Sequence, residues 1–569
     1  MKKAPTFGAF LLALAFFVWY YKGNISQGDF TMIEIFPVSS LERIYPDKRP
    51  KPERRGAMAK NEVYSFQVAY FFDYNLRDMT VKVEGALADF VEIRQIELVP
   101  ATSPNTWKGD GYQVTDKPFL CPDVLRPLDT RALTARYNTY NGLWVTVKGN
   151  VPVGKHKVRI ALMGEYGEIM ATEYALEVLD FELCPQELVY TNWFHYDGIA
   201  NYYNLAPFSR KYMPIMESYI KKAVEHGMNM LLVPMFTPPL DTRVGKERLT
   251  CQLVDIEVLD GKYIISLDRL IAFMKRALEL GIKYFEMSHL FTQWGAKACP
   301  KIVAKVGGRT KKIFGWDNGA TSKEYEEFLN VFLPTLEKRL TDEGLFDRCY
   351  FHISDEPNDK CINEYKGAKE IFKKYMPRGI VMDALSHYEF YKDGLVENPV
   401  CGTDAIDVFL ENKVPNLWAY YCCAQSDKLL ANRFMGFEPV RNRVIGVQLY
   451  QNNIKGFLQW GYNFYNSVLS DEPIDPYLIT DAGCGLQSGD CFIVYPGRGG
   501  ALDSARHEVF YDGLQDMRLL YTLENKIGRD KVLELLESHG YSGFRTYPHS
   551  YKALLELRRT VQRLIVNEI

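Results

Sequence analysis

Residues 213–236, MPIMESYIKKAVEHGMNMLLVPMF, decide the fold because a helical stretch and a short apolar run follow each other within them. Apolar residues recur at helical spacing between Met213 and Glu225. The next run, Met228–Phe236, is short and mostly apolar, which is typical of a buried strand. A strand that alternates with a long helix in this way is the expected trace of a β/α unit.

The same alternation repeats from Leu188 onward and predicts a closed barrel. Two insertions interrupt it, a hairpin that turns at Asp260-Gly261 and a second candidate hairpin over Lys301–Phe314. Helical stretches lie between the strands at Met213–Glu225, Leu267–Leu280, Lys323–Thr341 and Asn363–Tyr375. The eight candidate strands are Val189–Tyr196, Met228–Phe236, Tyr284–Leu290, Cys349–Ser354, Gly379–Leu385, a weak one near Val400, Asn416–Cys422 and Lys455–Asn463.

The region before the barrel has a different pattern. From Met32 to Leu183, short runs of alternating character such as Val63–Tyr70 and Gly142–Val147 predict half-buried antiparallel strands, and their series is typical of a β-sandwich. We therefore expect a multidomain β plus α/β protein. Its parts are a hydrophobic N-terminal segment (1–31), a β-sandwich (32–185), a TIM-like (β/α)8 catalytic barrel (186–525) and C-terminal helices packed on the barrel (526–569).

The first residues leave two hypotheses open about the compartment. Met1-Lys2-Lys3 precedes an uncharged, largely apolar run from Ala4 to Tyr21, which resembles a signal peptide or an uncleaved anchor. The 11 cysteines favour free thiols in a reducing compartment, because their number is odd and no spacing suggests a disulfide framework. A translation start at Met32 would make the protein cytoplasmic. Otherwise it is exported or anchored, and only a retained anchor would bring it into contact with a membrane.

The composition excludes several classes of function. The 569 residues are 47% apolar and 24% charged with a net charge of -3, so no concentrated basic surface is expected and nucleic acid is not a partner. The 9 histidines are scattered, without an HExxH motif or a paired Cys-x-x-Cys, and we expect no metal and no cofactor. The informative deviation is the content of 37 Tyr, 33 Phe and 8 Trp, because sugar rings stack on such faces. The oligomeric state stays open.

Polar and aromatic residues crowd the carboxyl ends of the predicted strands, where the catalytic groups of a β/α barrel lie. Such a pocket suits a glycan or glycoside as substrate. Each residue alone is more often barrel core than ligand contact, but several of the set should touch sugar. The candidate substrate-binding residues are Trp193, His195, Asp241, His289, Trp418, Tyr420, Trp460, Tyr462 and Asn463.

The stretch Ser354-Asp355-Glu356-Pro357 contains the candidate catalytic residues. One interpretation is a helix start, with Ser or Asp as the cap and Pro in the first turn. The other follows from its position directly after the strand-like run Tyr350–Ile353, where Asp355 could polarise the substrate while Glu356 exchanges a proton. An ordinary retaining hydrolase needs carboxyl groups about 5–5.5 Å apart on opposite sides of the bond, which adjacent residues do not naturally supply. Attack by the 2-acetamido group of the substrate removes that need.

Several pieces of the sequence together resemble glycoside hydrolase family 123. The resemblance extends over nearly everything after Met32 and is carried by Asn192–Asp197, His226–Asn229, Thr237–Thr242, His352–Pro357, Trp460–Asn463, Tyr495–Gly497 and Ser504–Asp516. It implies a β-sandwich followed by a (β/α)8 barrel, and retaining β-N-acetylgalactosaminidase activity through an oxazolinium intermediate. It also implies that Asp355 orients and stabilises the acetamido group and that Glu356 is the general acid and then the base.

Two alternatives stay open. The same fold could hydrolyse another glycoside, because a barrel supports many chemistries. The chain could also be a carbohydrate-binding protein without catalysis, although the presence of both Asp355 and Glu356 argues against this. The natural glycan and an exo or endo preference are not fixed by the sequence.

Overall fold

The computed structural model describes residues 32–104, 109–130 and 132–567. Both hypotheses about the segment 1–31, a signal or anchor and a true start at Met32, fall outside these residues. Within the described ranges, no helix combines the length and the apolar character that crossing a bilayer requires.

The described residues before position 186 fold mainly into strands, as their alternating pattern predicts. In chain order these are β1 (Ile33–Ser39), β2 (Arg55–Ala59), β3 (Tyr64–Phe72), β4 (Leu76–Glu84), β5 (Val91–Ala101), β6 (Phe119–Pro127), β7 (Leu133–Ala135), β8 (Thr139–Val147), β9 (Gly154–Gly164) and β10 (Gly167–Leu179).

The rest of the chain alternates strands with helices. The strands are β11 (Val189–Asn192), β12 (Met230–Val233), β13 (Asp255–Leu259), β14 (Lys262–Ser266), β15 (Tyr284–Met287), β16 (Ile302–Val306), β17 (Arg309–Phe314), β18 (Cys349–Phe351), β19 (Ile380–Leu385), β20 (Asn398–Gly402), β21 (Trp418–Tyr420), β22 (Gly456–Gln459), β23 (Tyr495–Gly497) and β24 (Gly500–Ser504). The helices are α1 (Tyr196–Tyr203), α2 (Tyr212–Glu225), α3 (Asp268–Glu279), α4 (Lys323–Asp342), α5 (Ile362–Tyr375), α6 (Tyr388–Lys392), α7 (Asp407–Glu411), α8 (Pro439–Arg443), α9 (Ile445–Gln451), α10 (Ala505–Ile527), α11 (Arg529–Ser538) and α12 (Tyr551–Asn567).

Parallel strands close into a barrel in the order β11-β12-β15-β18-β19-β20-β21-β22, and β22 pairs back to β11. All four residues of β12 are buried, because one face points into the barrel and the other meets the helices. The prediction of a closed eight-stranded barrel is confirmed. The strands are shorter than predicted: the first ends at Asn192, and Tyr196 already belongs to α1.

The two insertions pair with each other in a sheet of order β14-β13-β16-β17. The first hairpin turns at Asp260 and Gly261, whose φ angles are 49° and 72°, as an Asp-Gly turn requires. β16 and β17 form the second hairpin. Both predicted hairpins are therefore present.

Two sheets make up most of the region before the barrel. One has the order β1-β3-β8-β5-β6-β24-β23 and the other the order β2-β10-β9-β4-β7. Buried side chains of both sheets share one apolar core. In that core Phe66 of β3 stacks on Tyr174 of β10, with ring centroids 4.0 Å apart.

Strands from the far end of the chain complete the first of these sheets. β24 pairs antiparallel with β6, with Ser504 opposite Val124. Ser504 then caps α10, because its hydroxyl oxygen accepts the backbone N–H of His507. Residues 495–504, which the sequence assigned to the barrel, thus extend the N-terminal sheet, and the two parts of the molecule are joined by backbone pairing.

Candidate active site

A cavity of about 130 Å³ opens at the carboxyl ends of the barrel strands. The residues in its wall that the sequence predicted are Trp193, Asp241, Asp355, Glu356, Tyr420 and Trp460. The other wall residues are Leu240, Trp294, Ala384, Cys422, Cys423, Leu458 and Leu486. The cavity therefore combines aromatic and apolar faces with a small group of carboxyl groups, as a sugar-binding site requires.

The Ser354-Asp355-Glu356-Pro357 stretch does not start a helix. The Ser354 hydroxyl donates to the carbonyl oxygen of Thr292, 2.8 Å away, instead of capping a helix that follows it. The next helical turn begins after Asn358, which caps it, and α5 begins only at Ile362. The helix-start interpretation is wrong, and both carboxyl groups lie in the loop that follows β18.

Glu356 combines an unusual backbone with one short hydrogen bond. Its φ of 43° is rare for a residue with a side chain, and such strain is typical of functional sites. The Tyr420 hydroxyl donates to Glu356 Oε1 at 2.7 Å. Burial raises the pKa of Glu356, and the Tyr420 hydrogen bond opposes that rise. A carboxyl group with a raised pKa can hold a proton near neutral pH, as a general acid must.

Asp355 is also a carboxyl group whose pKa is raised. Burial first, and then the neighbouring Glu356 charge, raise the pKa of Asp355 well above its usual value, while the positive charge of His352 opposes the rise. The charge of Glu356 therefore disfavours ionisation of Asp355.

A buried ion-pair network adjoins the loop that carries this pair. His352 Nε2 lies 2.9 Å from Glu286 Oε2, and His352 Nδ1 lies 3.0 Å from Asp383 Oδ1. Because both ring nitrogens face carboxylate oxygens, both must donate, and only the imidazolium form does so. Burial alone would lower the pKa of His352, but the hydrogen bonds to Asp383 and Glu286 raise it to about 9. One positive charge is thus held between two negative ones.

The same network fixes parts of the cavity. The Trp193 indole N–H donates to Glu286 Oε2 at 2.8 Å. Asp383 Oδ2 accepts the Tyr365 hydroxyl at 2.6 Å and the Ser354 backbone N–H at 3.4 Å. The network therefore holds one wall of the cavity and the backbone that leads into Asp355. Sequence reasoning missed Glu286 and Asp383, although a lone carboxylate inside a buried apolar strand was a usable signal.

His289 lies beside this network rather than in the cavity wall. Its ring stacks on His352, with centroids 4.3 Å apart, and meets Trp193 edge to face at 5.3 Å. Burial and the charge of His352 lower the pKa of His289 well below its usual value, so the ring is neutral. His289, His352 and Asp383 bring potential metal ligands close together. However, both nitrogens of His352 are already bonded to carboxylates, which makes the group an ion-pair network.

His195 and Asn463 brace the wall from behind. His195 Nε2 donates to the Trp460 carbonyl at 2.8 Å, and His195 Nδ1 accepts from Arg248 at 3.1 Å. Burial and the Arg248 charge lower the pKa of His195 to about 3, which keeps the ring neutral. The Asn463 side chain exchanges two hydrogen bonds with the backbone of His195, at 2.8 and 3.0 Å. The structure does not bring either residue to the cavity surface.

Tyr462 and Trp418 are also buried away from the cavity. The Tyr462 hydroxyl donates to the carbonyl of Tyr219 at 2.9 Å. Trp418 fills the barrel interior near Tyr350, with ring centroids 6.0 Å apart. Both side chains therefore pack the barrel in this structure.

Asp241 is the third carboxyl group in the cavity wall. Its φ is 38°, and its Oδ2 accepts the backbone N–H of Leu469 at 2.9 Å. Burial raises its pKa. Asp241 is therefore held in place by a neighbouring loop in the cavity wall.

Trp294, Cys422 and Cys423 are wall residues that sequence reasoning did not select. The two cysteines follow β21 after one intervening residue, Tyr421, so their position near a strand end was a usable signal. A hydrogen bond to Cys423 and then burial raise the pKa of the Cys422 thiol. Trp294 lies far along the loop after β15, where no strand-end rule points to it.

A larger cavity, about 600 Å³, lies among β2, β3, β10 and α12, away from the barrel strand ends. Its buried charges are already paired: Arg558 with Glu62, and Arg443 with Asp512 at 2.9 Å. None of the residues predicted for the site lines it. The candidate active site is therefore the smaller cavity.

A closed β/α barrel whose strand ends place carboxyl groups in an aromatic cavity defines a class of protein, the barrel hydrolases that act on glycosides. The family model described as "Glycoside hydrolase 123, catalytic domain" matches residues 193–523, more than half of the chain. The chain therefore belongs to glycoside hydrolase family 123 and is a glycosidase. The resemblance to this family found in the sequence is confirmed.

Solved structures similar to this chain include a family 123 glycoside hydrolase from Clostridium perfringens, whose analysis concerns glycolipid glycan hydrolysis. It has 14% identity and a TM-score of 0.70, over 94% of this chain and 98% of that chain, which shows a shared fold. A GH5 xyloglucanase from Bacteroides ovatus has 10% identity and a TM-score of 0.31 over 81% and 98%. A family 39 glycoside hydrolase from Bacteroides cellulosilyticus has 8% identity and a TM-score of 0.34 over 77% and 81%. Comparison with curated protein sequences gave no match.

Proposed function

We propose that this glycosidase releases β-linked N-acetylgalactosamine with retention, by substrate-assisted catalysis. The observation that carries the proposal is that the adjacent residues Asp355 and Glu356 both line the cavity at the strand ends. Adjacent carboxyl groups suit a reaction in which the acetamido oxygen of the substrate is the nucleophile. The protein then supplies only an acid, which later acts as a base, and a carboxylate that stabilises the intermediate.

In the first step Glu356 donates its proton to the glycosidic oxygen while the acetamido oxygen attacks the anomeric carbon and the leaving group departs. The product is an oxazolinium ring, whose positive charge Asp355 stabilises as a carboxylate that accepts the N–H of the ring. In the second step Glu356 takes a proton from water, which attacks the anomeric carbon and opens the ring. The configuration at that carbon is inverted twice and so retained.

Substrate binding supplies the ionisation states that this reaction needs. Without substrate, burial raises the pKa of both carboxyl groups, and the Glu356 charge adds to the rise at Asp355. An amide N–H that donates to Asp355 favours its charged form, which leaves the proton on Glu356. The acetamido group would therefore prepare the acid as well as act as the nucleophile.

The proposed substrate contacts are the predicted residues in the cavity wall, Trp193, Asp241, Tyr420 and Trp460. The Clostridium perfringens enzyme was analysed for glycolipid glycan hydrolysis. Glycolipid glycans that end in β-linked N-acetylgalactosamine are therefore the first natural substrates to test.

A second candidate is an ordinary retaining hydrolase of another glycoside. Asp241 favours it, because this carboxyl group lines the same cavity as Glu356 and could act as a protein nucleophile. The two candidates differ in whether the 2-acetamido group of the substrate is required.

For the architecture, we propose that the two N-terminal sheets form a β-sandwich domain over 32–185. The shared core of the two sheets supports this division. The catalytic barrel then covers 186–525, and the helices of 526–569 pack on it, with α12 also contacting the N-terminal region through Arg558 and Glu62. Strand β24 would then belong to the barrel segment by its position in the chain and to the β-sandwich by its pairing with β6.

A panel of aryl β-glycosides tests the proposal. The N-acetylgalactosaminide should be hydrolysed, and the galactoside, which differs only at the 2-position, should not, because it lacks the nucleophile. Equal rates on the two would favour Asp241 as nucleophile. No hydrolysis of any glycoside would leave a binding protein as the better account.

A further inference from the structure

The side chain of Trp294 is exposed at the cavity, with 42% of its surface open, while Trp193 in the same wall is 2% exposed. Trp193 therefore lines the deep part and Trp294 the rim. Across residues 32–104, 109–130 and 132–567, no aromatic ring packs on Trp294, and its indole N–H has no acceptor. Trp460 differs, because its ring packs edge to face with Phe464 and its N–H donates to Asp490 at 3.0 Å.

The backbone that carries Trp294 is strained. Trp294, Gly295 and Ala296 have consecutive φ angles of 59°, 122° and 54°. A residue with a side chain rarely adopts this backbone conformation, and it persists only when the surroundings impose it. A Cβ on Gly295 would lie 2.4 Å from the Cβ of Cys361, so the turn is packed closely as well. Such strain without a packing role for the Trp294 ring points to a binding role.

The strained turn is bound to the catalytic loop. The backbone N–H of Trp294 donates to the backbone oxygen of Asp355 at 2.8 Å. The N–H groups of Gly295 and Ala296 donate to the Ser354 hydroxyl at 3.2 and 3.1 Å. Trp294 is therefore held at a fixed position relative to the candidate catalytic residues, and does not project from an independent surface loop.

We propose that Trp294 is the stacking platform for the sugar on the leaving-group side of the scissile bond. This inference rests on the proposed function. If the terminal sugar occupies the deep part of the cavity, the rest of the glycan must leave through the opening, past the rim. An exposed indole face there would stack on the first leaving-group sugar, as aromatic rings do on the apolar faces of sugars. The substrate class is then a glycan with a sugar, rather than a small alcohol, as the leaving group.

Two substrates separate this role from a structural one. The first is β-N-acetylgalactosaminyl fluoride, whose leaving group has no ring. The second is a disaccharide in which N-acetylgalactosamine is β-linked to galactose. Trp294→Ala should lower kcat/KM for the disaccharide on the order of tenfold and leave the fluoride within about twofold of the parent. The loss should lie in KM, because stacking is present in the ground state and the transition state alike. Trp294→Phe should recover most of it.

Trp316→Ala is the matched control, because Trp316 is also partly exposed but lines a different, smaller pocket. It should leave both substrates unaffected. An equal loss on both substrates in Trp294→Ala, or no loss on the disaccharide, would overturn the platform while the proposed function stands. If the parent hydrolyses neither substrate, the proposed function fails, and the platform fails with it.

Discussion

At the scale of single residues, the central question is which of two adjacent carboxyl groups carries the proton. Burial raises the pKa of both carboxyl groups, and the Glu356 charge adds to the rise at Asp355. The proposed reaction needs Asp355 charged and Glu356 protonated. A bound acetamido N–H resolves this, because it stabilises the charged form of Asp355. Substrate binding should therefore lower the pKa of Asp355 and favour a proton on Glu356.

Glu356→Gln should abolish turnover of substrates with poor leaving groups and leave more activity on activated aryl glycosides. The reason is that protonation of the leaving group matters less when departure is easy. Steady-state rates on a series of aryl N-acetylgalactosaminides of graded leaving-group pKa provide the measurement. Equal losses across the series would contradict the acid role, provided that circular dichroism shows a folded variant.

Asp355→Asn should lower kcat more than it weakens binding, because its interaction with the oxazolinium ring is stronger in the transition state than in the ground state. A thiazoline mimic of the bicyclic intermediate should inhibit the parent well and the variant poorly. Inhibition constants for the two proteins give the comparison. A mimic that fails against the parent would rule out substrate assistance, and Asp241→Asn would be the next variant to make.

The sequence predicts a site residue when that residue lies close to the end of a strand, and fails when the residue lies far along the following loop. Asp355 and Tyr420 directly follow or end a recognisable strand, so their place at the cavity was predictable. Trp294 was not, because it is brought back to the cavity by a turn whose three positive φ angles have no sequence signature. His289 also lies near a strand end, but its ring packs on His352 in the core instead of lining the cavity as Tyr420 does. The direction of a side chain depends on tertiary packing, which the sequence does not show.

At the scale of elements, the network of Glu286, His352 and Asp383 joins the ends of three neighbouring strands, β15, β18 and β19. All three side chains have no exposed surface. Removing the charge between two buried carboxylates leaves both unpaired, which is more costly than a lost neutral hydrogen bond. We expect this network to stabilise the edge of the barrel that carries the catalytic loop.

His352→Gln should lower the free energy of unfolding by about 3–5 kcal/mol at neutral pH. The pKa of His352 is raised to about 9 in the folded protein, from about 6.5 when unfolded, so its stabilising charge is complete below about pH 6.5 and lost as pH rises through 9. The difference in the free energy of unfolding between the parent and His352→Gln should therefore decrease as the pH rises from about 6.5 to 9. Urea denaturation at several pH values measures it.

Tyr365→Phe is the control for that series. It removes one hydrogen bond to Asp383 but leaves the three charges in place. Its effect should be smaller and nearly constant across the same pH range. If the difference in the free energy of unfolding between the parent and His352→Gln stays constant with pH, His352 is not an imidazolium in the folded protein.

The sequence predicts the elements of the barrel well and their ends poorly. Runs such as Met228–Phe236 are apolar on both faces, and this pattern is typical of a parallel strand under helices. The observed strand covers only Met230–Val233, because the apolar residues after it line the loops and no longer pair. The pairing of β24 with the N-terminal sheet was not predictable, because the sequence of a five-residue strand does not indicate which strand it will pair with.

Gly295→Ala should destabilise the protein and lower its activity, because the new Cβ would meet Cys361 and the residue has a φ of 122°. Gly245→Ala is a matched control, with a φ of 81° but nothing within 4 Å of the added Cβ. Thermal denaturation should show a larger decrease in Tm for Gly295→Ala. Activity on the disaccharide should fall only in that variant. Equal effects of the two substitutions would mean that the turn is not closely packed.

At the scale of the whole molecule, the N-terminal sheets and the barrel share buried charges as well as a strand. Arg94 of β5 binds Asp503 at 2.9 Å and Glu508 at 2.7 Å; Asp503 lies in β24, and Glu508 lies in the first turn of α10. His226, after α2 of the barrel, lies 3.3 Å from Glu508. A buried contact of this kind couples the two parts, so that unfolding one exposes unpaired charge in the other.

Arg94→Ala should therefore lower the free energy of unfolding by about 3 kcal/mol, because Asp503 and Glu508 lose their shared arginine and keep only His226 and, at Asp503, Lys222 as cationic partners. Arg159→Ala is the control, since Arg159 also binds two carboxylates, Glu84 and Glu168, but at the surface of one sheet, where ion pairs contribute little. Chemical denaturation followed by tryptophan fluorescence and by circular dichroism measures both variants. If sheets and barrel unfold as one unit, the two signals change together in the parent, and Arg94→Ala moves both midpoints by the same amount. A midpoint that does not move, or that moves as little as in Arg159→Ala, would mean that the two parts are coupled by apolar packing and β24 pairing alone.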